Sequence, residues 1–394
     1  MSMMLIDLLL AVVLLAALLG GLGRGLVSTL GGLVGLAVGG VAAFWVVPIV
    51  NDALPSSGWR GPLVVVAAVL LPVLGASVGT AVGQGLRRGV DRTPLRFLDR
   101  LLGGVVSLVV AAVAMSFVGS AIAATGVPVI APAIASSTVL RTIDRLTPAP
   151  VARTLAELRG AVLDEGLPTF GDLLVPGLTP SVPDVDLTDP ALARAARSVA
   201  RIGGTAYACG ISSTGSGFVV AEDRVVTNAH VVAGVDRPVV ELPGRAAREG
   251  RIVYFDPVDD LAVVAVDGLG ATPLPIAPTL AVGASAAVQG YPYGGPLTSG
   301  AAQVLAVSTV PVPDVQGDGV SDREIYALAA RVRPGNSGGP LLTTDGQAAG
   351  VVFARAESDA ELGYAMTPAE LLPVVAQAPE LSSAVSSGAC SASR

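Results

Sequence analysis

The sequence predicts a transmembrane unit of four helices at the N-terminus, followed by an all-β domain in the C-terminal half. Two observations support this division. Hydrophobic residues make up 52% of the 394 residues and aromatic residues only 4%, which is too apolar for an ordinary soluble protein. After about residue 196, long apolar stretches give way to short β-branched runs separated by Gly, Pro and Asp.

Four apolar stretches carry the first part of this prediction, because each is long enough to cross about 30 Å of hydrocarbon as a helix. They span approximately residues 4–23, 25–49, 61–86 and 101–125. The loop at 87–100 contains five arginines and two aspartates, so the positive-inside rule places it in the cytoplasm. Counting spans from that loop places everything after the fourth stretch outside the cytoplasm.

Small residues recur at every fourth position of the second and third stretches. The glycines with this spacing are Gly31, Gly35 and Gly39, and then Gly75, Gly79 and Gly83. Such spacing lets helix backbones approach closely in lipid. Glycine is abundant in this chain, with 48 residues, so chance is the competing explanation. We favour helix packing.

The composition changes again between the apolar stretches and the β-rich region. Prolines interrupt this part of the chain, although residues 150–165 and 190–202 have helical spacing of Leu, Ala and Arg. We therefore predict three regions. They are a transmembrane four-helix unit at 1–125, a linker with short helices at 126–195, and a β domain at 196–394.

The β-rich region contains the residue types needed to activate a hydroxyl nucleophile. The chain has one histidine, His230, and Ser337 lies in a glycine-rich segment about a hundred residues downstream. Three aspartates, Asp256, Asp259 and Asp260, lie between them. A nucleophilic hydroxyl needs a base, and the base needs an orienting carboxylate. The order His, Asp, Ser is that of chymotrypsin-type proteases rather than subtilisins.

This chemistry assigns a role to each candidate residue. Ser337 attacks a carbonyl, His230 takes its proton, and Asp260 holds the imidazole in the useful tautomer. We prefer Asp260 to the other aspartates because it directly precedes a strand-like run. The backbone N–H groups of Gly335 and Ser337 are the candidate oxyanion hole. Taken singly, each element also fits an ordinary strand, loop or turn, and only their combination favours catalysis. We expect no cofactor and no metal.

Several segments of the β-rich region resemble the trypsin-like, HtrA-type serine peptidases. They are Gly-Ser-Gly-Phe-Val-Val at 215–220, Thr-Asn-Ala-His-Val-Val at 227–232, Asp-Leu-Ala at 260–262 and Gly-Asn-Ser-Gly-Gly-Pro at 335–340. The resemblance covers about residues 200–370. It implies a chymotrypsin-like double β-barrel, with His and Asp from the first barrel and Ser from the second.

The N-terminal region is similar to the colicin V production protein family. The similarity rests on Leu-Ile-Asp at 5–7 and Gly-Arg-Gly-Leu at 23–26. The order of the two regions resembles the MarP-like membrane serine proteases of actinobacteria. That resemblance implies a membrane-anchored periplasmic endopeptidase that cleaves envelope proteins and supports resistance to acid and oxidative stress. The alternatives are a transport or export factor with an inactive sensor domain, and a scaffold for misfolded envelope proteins.

The charge balance bears on the partners of the protein. A net charge of −7 argues against nucleic acid as a partner. We therefore expect protein or peptide substrates in the cell envelope. The sequence leaves the oligomeric state and the side-chain preference open.

Two cysteines, Cys209 and Cys390, flank almost the whole β-rich region. We predict that they form a disulfide in an oxidising compartment, and two free thiols are the alternative. A bridge closing so long a loop contributes about 4–5 kcal/mol in the chain-entropy model. Mass spectrometry after alkylation without reductant tests this prediction. Two alkylated thiols would reject the bridge.

Overall fold

The computed structural model describes residues 3–53, 60–90, 92–93, 95–124, 134, 137–163, 168–170, 181–206 and 211–391. The chain forms two compact units, and residues within each unit contact mainly one another. One unit consists of residues 7–115, and the other consists of residues 116–394 together with 1–6. The predicted region boundaries at 125 and 195 stay predictions.

Four long helices form the N-terminal part of the chain, as the sequence predicts. They are α1 (Met3–Arg24), α2 (Leu26–Ala53), α3 (Arg60–Val90) and α4 (Arg96–Ala124). By length and composition, each contains a segment able to cross a membrane. The helices begin and end within a few residues of the predicted stretches, because uninterrupted apolar sequence favours helix wherever backbone groups must pair internally.

Helices α2 and α3 approach each other at the repeated glycines. A Cβ atom on Gly35 would overlap the carbonyl oxygen of Gly75, and one on Gly79 would overlap the carbonyl oxygen of Gly31. Gly40, on the same helix as Gly35, has nothing within 4 Å of its Cβ position. The glycine spacing therefore reflects backbone contact at specific positions.

A buried ion pair fixes the turn between α1 and α2. Asp99 is 6% exposed, and its Oδ2 lies 3.2 Å from Arg87 Nε. Its Oδ1 accepts a hydrogen bond from Val27 N at 3.0 Å, at the start of α2. Arg87 Nη1 donates to the carbonyls of Gly23 and Arg24 at 2.7 and 2.6 Å. The pair thus satisfies backbone groups that the helix ends leave free.

Short helices follow α4. They are α5 (Thr138–Leu146), α6 (Ala149–Leu163) and α7 (Pro190–Ala195), with strand β1 (Thr169–Phe170) between the last two. The expected helix at 190–202 is wrong in its second half. A single 3-10 turn ends at Ser198, and a strand begins at Val199. Val199 and Ile202 are fully buried, so their tertiary contacts override the local helical spacing.

The first of two seven-stranded sheets follows. Its strands are β2 (Val199–Ala206), β3 (Ile211–Ala221), β4 (Arg224–Thr227), β5 (Val239–Glu241), β6 (Arg248–Glu249), β7 (Arg251–Asp256) and β8 (Leu261–Ala265). Their order is β6-β5-β2-β3-β4-β8-β7. The one-turn helix α8 (Ala229–Val232) follows β4. Every pairing within this sheet is antiparallel.

The second sheet contains β1 and the remaining strands. They are β9 (Ser285–Gly290), β10 (Thr298–Pro313), β11 (Val320–Ala329), β12 (Pro340–Thr343), β13 (Ala348–Ala356) and β14 (Leu362–Met366). Because β13 pairs with both β12 and β14, six strands close into a barrel, and β1 adds to β13 in parallel. Helix α9 (Pro368–Gln377) follows the last strand.

Three apolar cores hold this β-rich region together. One core lies within each sheet, and a third joins residues of both sheets. Alternation along the strands makes this possible, since neighbouring side chains point to opposite faces. Phe218 packs in the shared core while Val219 packs inside the first sheet. In the second sheet, Phe353 packs in the shared core and Val352 packs inside the sheet. We call the zone between the sheets the seam.

We predict that Gly35→Ala lowers the thermal stability of the full chain in detergent, whereas Gly40→Ala does not. The added methyl at position 35 must displace the backbone of α3, and such overpacking costs about 1–3 kcal/mol. Thermal unfolding followed by tryptophan fluorescence measures the difference. Equal melting temperatures for the two variants would contradict the close contact.

Candidate active site

The three candidate side chains come from different connections of the two sheets. His230 lies in α8, directly after β4, and Asp260 lies in the turn between β7 and β8. Ser337 lies in the loop between β11 and β12. His230 and Asp260 therefore belong to the first sheet and Ser337 to the second.

Asp260 binds His230 through both of its carboxylate oxygens. Oδ2 lies 2.8 Å from His230 Nδ1, and Oδ1 accepts from the backbone N of His230 at 2.9 Å. With Nδ1–H donated to the carboxylate, a neutral imidazole leaves Nε2 free to accept a proton. Asn228 Nδ2 donates to the Asp260 carbonyl at 2.9 Å and fixes the turn from the other side. Asp260 has a φ of 54°, a left-handed conformation that Asp tolerates better than most residues.

The two neighbouring aspartates make different contacts. Asp256 Oδ1 accepts from the backbone N of Val258 and of Asp259, at 2.9 and 3.1 Å, and so stabilises the turn. Burial, together with the charge of Asp256, raises the pKa of Asp259. Asp260 is the one of the three that is hydrogen-bonded to His230 in the described part of the chain.

The loop that carries Ser337 is a tight turn that requires glycine. Asn336 N donates to Arg333 O, and Gly339 N donates to Asn336 O, both at 2.9 Å. Gly335 and Gly338 have φ values of 91° and 81°, a region that favours residues without a Cβ. A Cβ on Gly338 would also overlap Ser216 O and the Thr227 hydroxyl. The turn therefore packs directly on the first sheet.

Ser337 is nearly buried, at 3% exposure, and its Oγ lies 3.5 Å from the carbonyl oxygen of Phe353. Among the described residues, no hydrogen bond joins it to His230. The turn nevertheless adjoins the segment that leads to the imidazole, because a Cβ on Gly338 would lie 3.0 Å from Asn228 N. Rotation about χ1 moves a serine hydroxyl between staggered positions, and catalytic hydrogen bonds are often long without substrate.

The backbone at the turn presents two unpaired donors. Within the described residues, the N–H groups of Gly335 and Ser337 have no hydrogen-bond acceptor. The carbonyl of Gly335 accepts from Ser216 Oγ at 2.7 Å, and the carbonyl of Ser337 accepts from Ser216 N at 2.7 Å. These bonds hold the peptide groups next to the two donors. The peptide groups that carry the donors are held through their own carbonyls, since Pro334 O accepts from Tyr293 N at 2.6 Å and Asn336 O accepts from Gly339 N at 2.9 Å.

Ser216 is a site residue to which the sequence analysis gave no role. It is fully buried, and its hydroxyl accepts from Tyr291 N at 2.9 Å while donating to Gly335 O. The only sequence signal is its place between two glycines on a strand. Tyr291 is itself buried, which raises the pKa of its phenol. Ser216 thus joins three chain segments at the seam.

The linker contacts the loop that supports the Ser337 turn. Glu157 on α6 forms an ion pair with Arg333 at 3.1 Å. A Cβ on Gly295 would overlap Ala156, also on α6. Tyr293, in the same loop as Gly295, donates its N–H to Pro334 O at 2.6 Å. The linker therefore contacts the residues that directly support the Ser337 turn.

Other predicted residues lie elsewhere or outside the described residues. Cys209 is outside them, so its bridge with Cys390 stays a prediction. The C-terminal tail is held on the first sheet, where Val385 N donates to Ile252 O at 2.9 Å. Arg331, which lies after β11 on the way to the Ser337 turn, is exposed and pairs with Glu361 at 2.5 Å.

We predict that Ser216→Ala destabilises the chain by about 1–3 kcal/mol, because it leaves Gly335 O and Tyr291 N without their buried partner. Ser308→Ala, on an exposed part of β10, is the matched control. Thermal unfolding of both variants tests the expectation. A Ser216→Ala variant as stable as Ser308→Ala would show that the hydroxyl does not join the segments.

Comparisons with known proteins match both parts of the chain. A trypsin-like peptidase domain model matches residues 215–351, and a colicin V production protein model matches residues 6–148. Serine protease Rv3671c of Mycobacterium tuberculosis is 33% identical over 307 residues, which cover 76% of this chain and 77% of that protein. Putative serine protease HhoA of Synechocystis sp. is 34% identical over 166 residues, 40% of each chain.

A solved structure matches the β-rich region. The crystal structure of Rv3671c protease in its active form has a TM-score of 0.52 and 37% identity, and the match covers 56% of this chain and all of that one. This match confirms the predicted chymotrypsin-like fold of the β domain, which follows four apolar helices. The chain belongs to the family of Serine protease Rv3671c and is a membrane-anchored serine-type endopeptidase.

Proposed function

We propose that the endopeptidase acts through a triad of His230, Asp260 and Ser337. The observation that carries this proposal is the double hydrogen bond between Asp260 and His230, beside the turn that holds Ser337. A carboxylate held by two bonds to one histidine fixes the ring orientation and leaves Nε2 as the acceptor. A purely structural carboxylate has no need for both contacts.

The mechanism follows from these positions. Ser337 Oγ attacks the carbonyl carbon of the scissile peptide as His230 Nε2 takes the hydroxyl proton, and Asp260 stabilises the resulting imidazolium. The N–H groups of Gly335 and Ser337 donate to the developing oxyanion. His230 then gives its proton to the leaving amine, which leaves an ester on Ser337. Water, deprotonated by His230, attacks that ester, and His230 returns the proton to Ser337 Oγ as the second product leaves.

We place the β domain, residues 196–394, on the periplasmic side of the membrane. The arginines of loop 87–100 support this orientation, because basic loops between spans stay in the cytoplasm. A bridge between Cys209 and Cys390 suits an oxidising compartment. The substrates on that side are envelope proteins, and we connect their cleavage with survival of acid and oxidative stress.

Labelling of the full chain with a fluorophosphonate probe tests the nucleophile. We expect the native chain to react and Ser337→Ala not to react, with Ser308→Ala as the control that keeps its reaction. Labelling of Ser337→Ala would defeat the assignment. A native chain that fails to react would favour an inactive sensor domain instead.

The acid is tested by comparing neighbouring aspartates. Asp260→Asn should lower kcat by about 10⁴-fold, since it leaves the imidazole in the wrong tautomer. Asp259→Asn is the matched control, because Asp259 makes no contact with His230 in the described part of the chain. Peptide hydrolysis at one pH measures both. Similar losses in the two variants would reject Asp260 as the triad acid.

A further inference from the structure

Arg323 is a buried cation at the seam that the proposed mechanism does not use. It lies on β11 of the second sheet and is 1% exposed, although arginine is almost never fully buried without a partner. Its guanidinium donates to neutral acceptors, with Nη2 at 2.9 Å from Pro313 O and Nε at 3.4 Å from Ser321 Oγ. A charge buried in this way needs compensation from nearby anions.

The segment around Arg323 is fastened to the turn that carries Asp260. Ser321 accepts from Arg323 and donates its own hydroxyl to Val258 O at 3.1 Å. Val315, at the tip of the β10–β11 hairpin, donates its N–H to Pro257 O at 3.0 Å. Val315 also packs in the core of the first sheet. A chain of contacts therefore joins the guanidinium to the backbone two residues before Asp260.

The charged groups that act on Arg323 are all carboxylates. They are Asp256 at the end of β7, Asp259 and Asp260 in the turn that follows it, and Glu370 of α9. Burial lowers the pKa of Arg323, and these carboxylates oppose that effect, with Asp260 contributing most among them. Burial also raises the pKa of Glu370 and of Asp259, so their negative charge is easier to neutralise than that of an exposed carboxylate. Tyr254, with its pKa raised to about 12 by burial and by Asp256, stays neutral in this group.

We propose that Arg323 is a positioning residue of the active site, whose buried positive charge holds the turn of Asp260 in place beside His230. This inference rests on the proposed triad. Arg323 touches neither substrate nor the reacting atoms, and it acts through Asp260. Through Arg323, the second sheet contributes to the His230–Asp260 pair, whose own residues belong to the first sheet.

The charge of Arg323 has a consequence for the pH range of the enzyme. A positive charge near the pair disfavours the imidazolium form of His230. His230 must be neutral to accept a proton, so removing Arg323 should move the loss of activity at low pH to a higher pH. In a partly buried site with an effective dielectric constant of about 20, a neighbouring unit charge shifts a pKa by about half to one unit.

The single histidine makes a direct measurement possible. The full chain, in detergent and with a histidine-free affinity tag, is labelled with ¹³C-histidine, and its one imidazole resonance is titrated by NMR. We expect the midpoint to rise by about half to one pH unit in Arg323→Gln, and to stay near the native value in Arg323→Lys, which retains the charge. Arg251→Gln, which removes an exposed arginine paired with Asp267, is the control. The acid limb of kcat/KM should move with the midpoint.

The result that overturns the proposal is a native midpoint in Arg323→Gln, or an equal shift in Arg323→Lys and Arg323→Gln. If Arg323→Gln does not fold, we compare the single variant Asp259→Asn with the double variant Arg323→Met/Asp259→Asn. Removing the charge of Asp259 leaves one fewer buried carboxylate without a positive partner when Arg323 is also lost. The double variant should then titrate above the single one, and coincident midpoints would reject the idea. The NMR titration needs no activity, so failure of the triad and failure of this inference give different results.

Discussion

The hydrogen bond from Ser216 N to Ser337 O, at 2.7 Å, joins the two sheets at the proposed active site. The His230–Asp260 pair belongs to the first sheet, and the Ser337 turn belongs to the second. Only the seam brings the two into one site. A single hydrogen bond contributes about 1 kcal/mol to stability, but a misplacement of about 1 Å can cost a hundredfold in rate. The bond therefore contributes little to the free energy of folding, but it has a large effect on how the proposed catalytic groups are aligned.

Apolar packing supplies most of the energy at this seam. Phe218 and Leu261 of the first sheet share a core with Ile325 and Phe353 of the second, and all four are 1% exposed or less. Burying such a side chain is worth about 1.5–3 kcal/mol, more than any one polar contact nearby. This packing is not directional, so it holds the sheets together without fixing their register. The polar contacts of Ser216 and Arg323 provide that specificity.

The parts of this molecule that follow local rules could be predicted from its sequence. Length and apolarity predicted the four helices, and short β-branched runs predicted strands such as β3 and β8. The start of β2 could not be predicted, because the spacing at 190–202 is helical and only distant contacts bury Ile202. The burial of Arg323 could not be predicted either. Arg323 lies between Asp322 and Glu324, and such a charged run is typical of an exposed strand. Its burial arises when the hairpin folds over a turn about sixty residues earlier.

The position of the linker bears on how substrates reach the site. Helix α6 packs on the loop of Gly295, and strand β1 lies along β13, where Arg355 N donates to Pro168 O at 3.2 Å. The ion pair of Glu157 with Arg333 has both side chains 39% or more exposed, and such pairs contribute about 0–1 kcal/mol. The linker is therefore held mainly by packing and backbone pairing. Because β1 covers the edge of β13 at Arg355 and Ala356, any peptide that paired with this edge would have to displace the short strand.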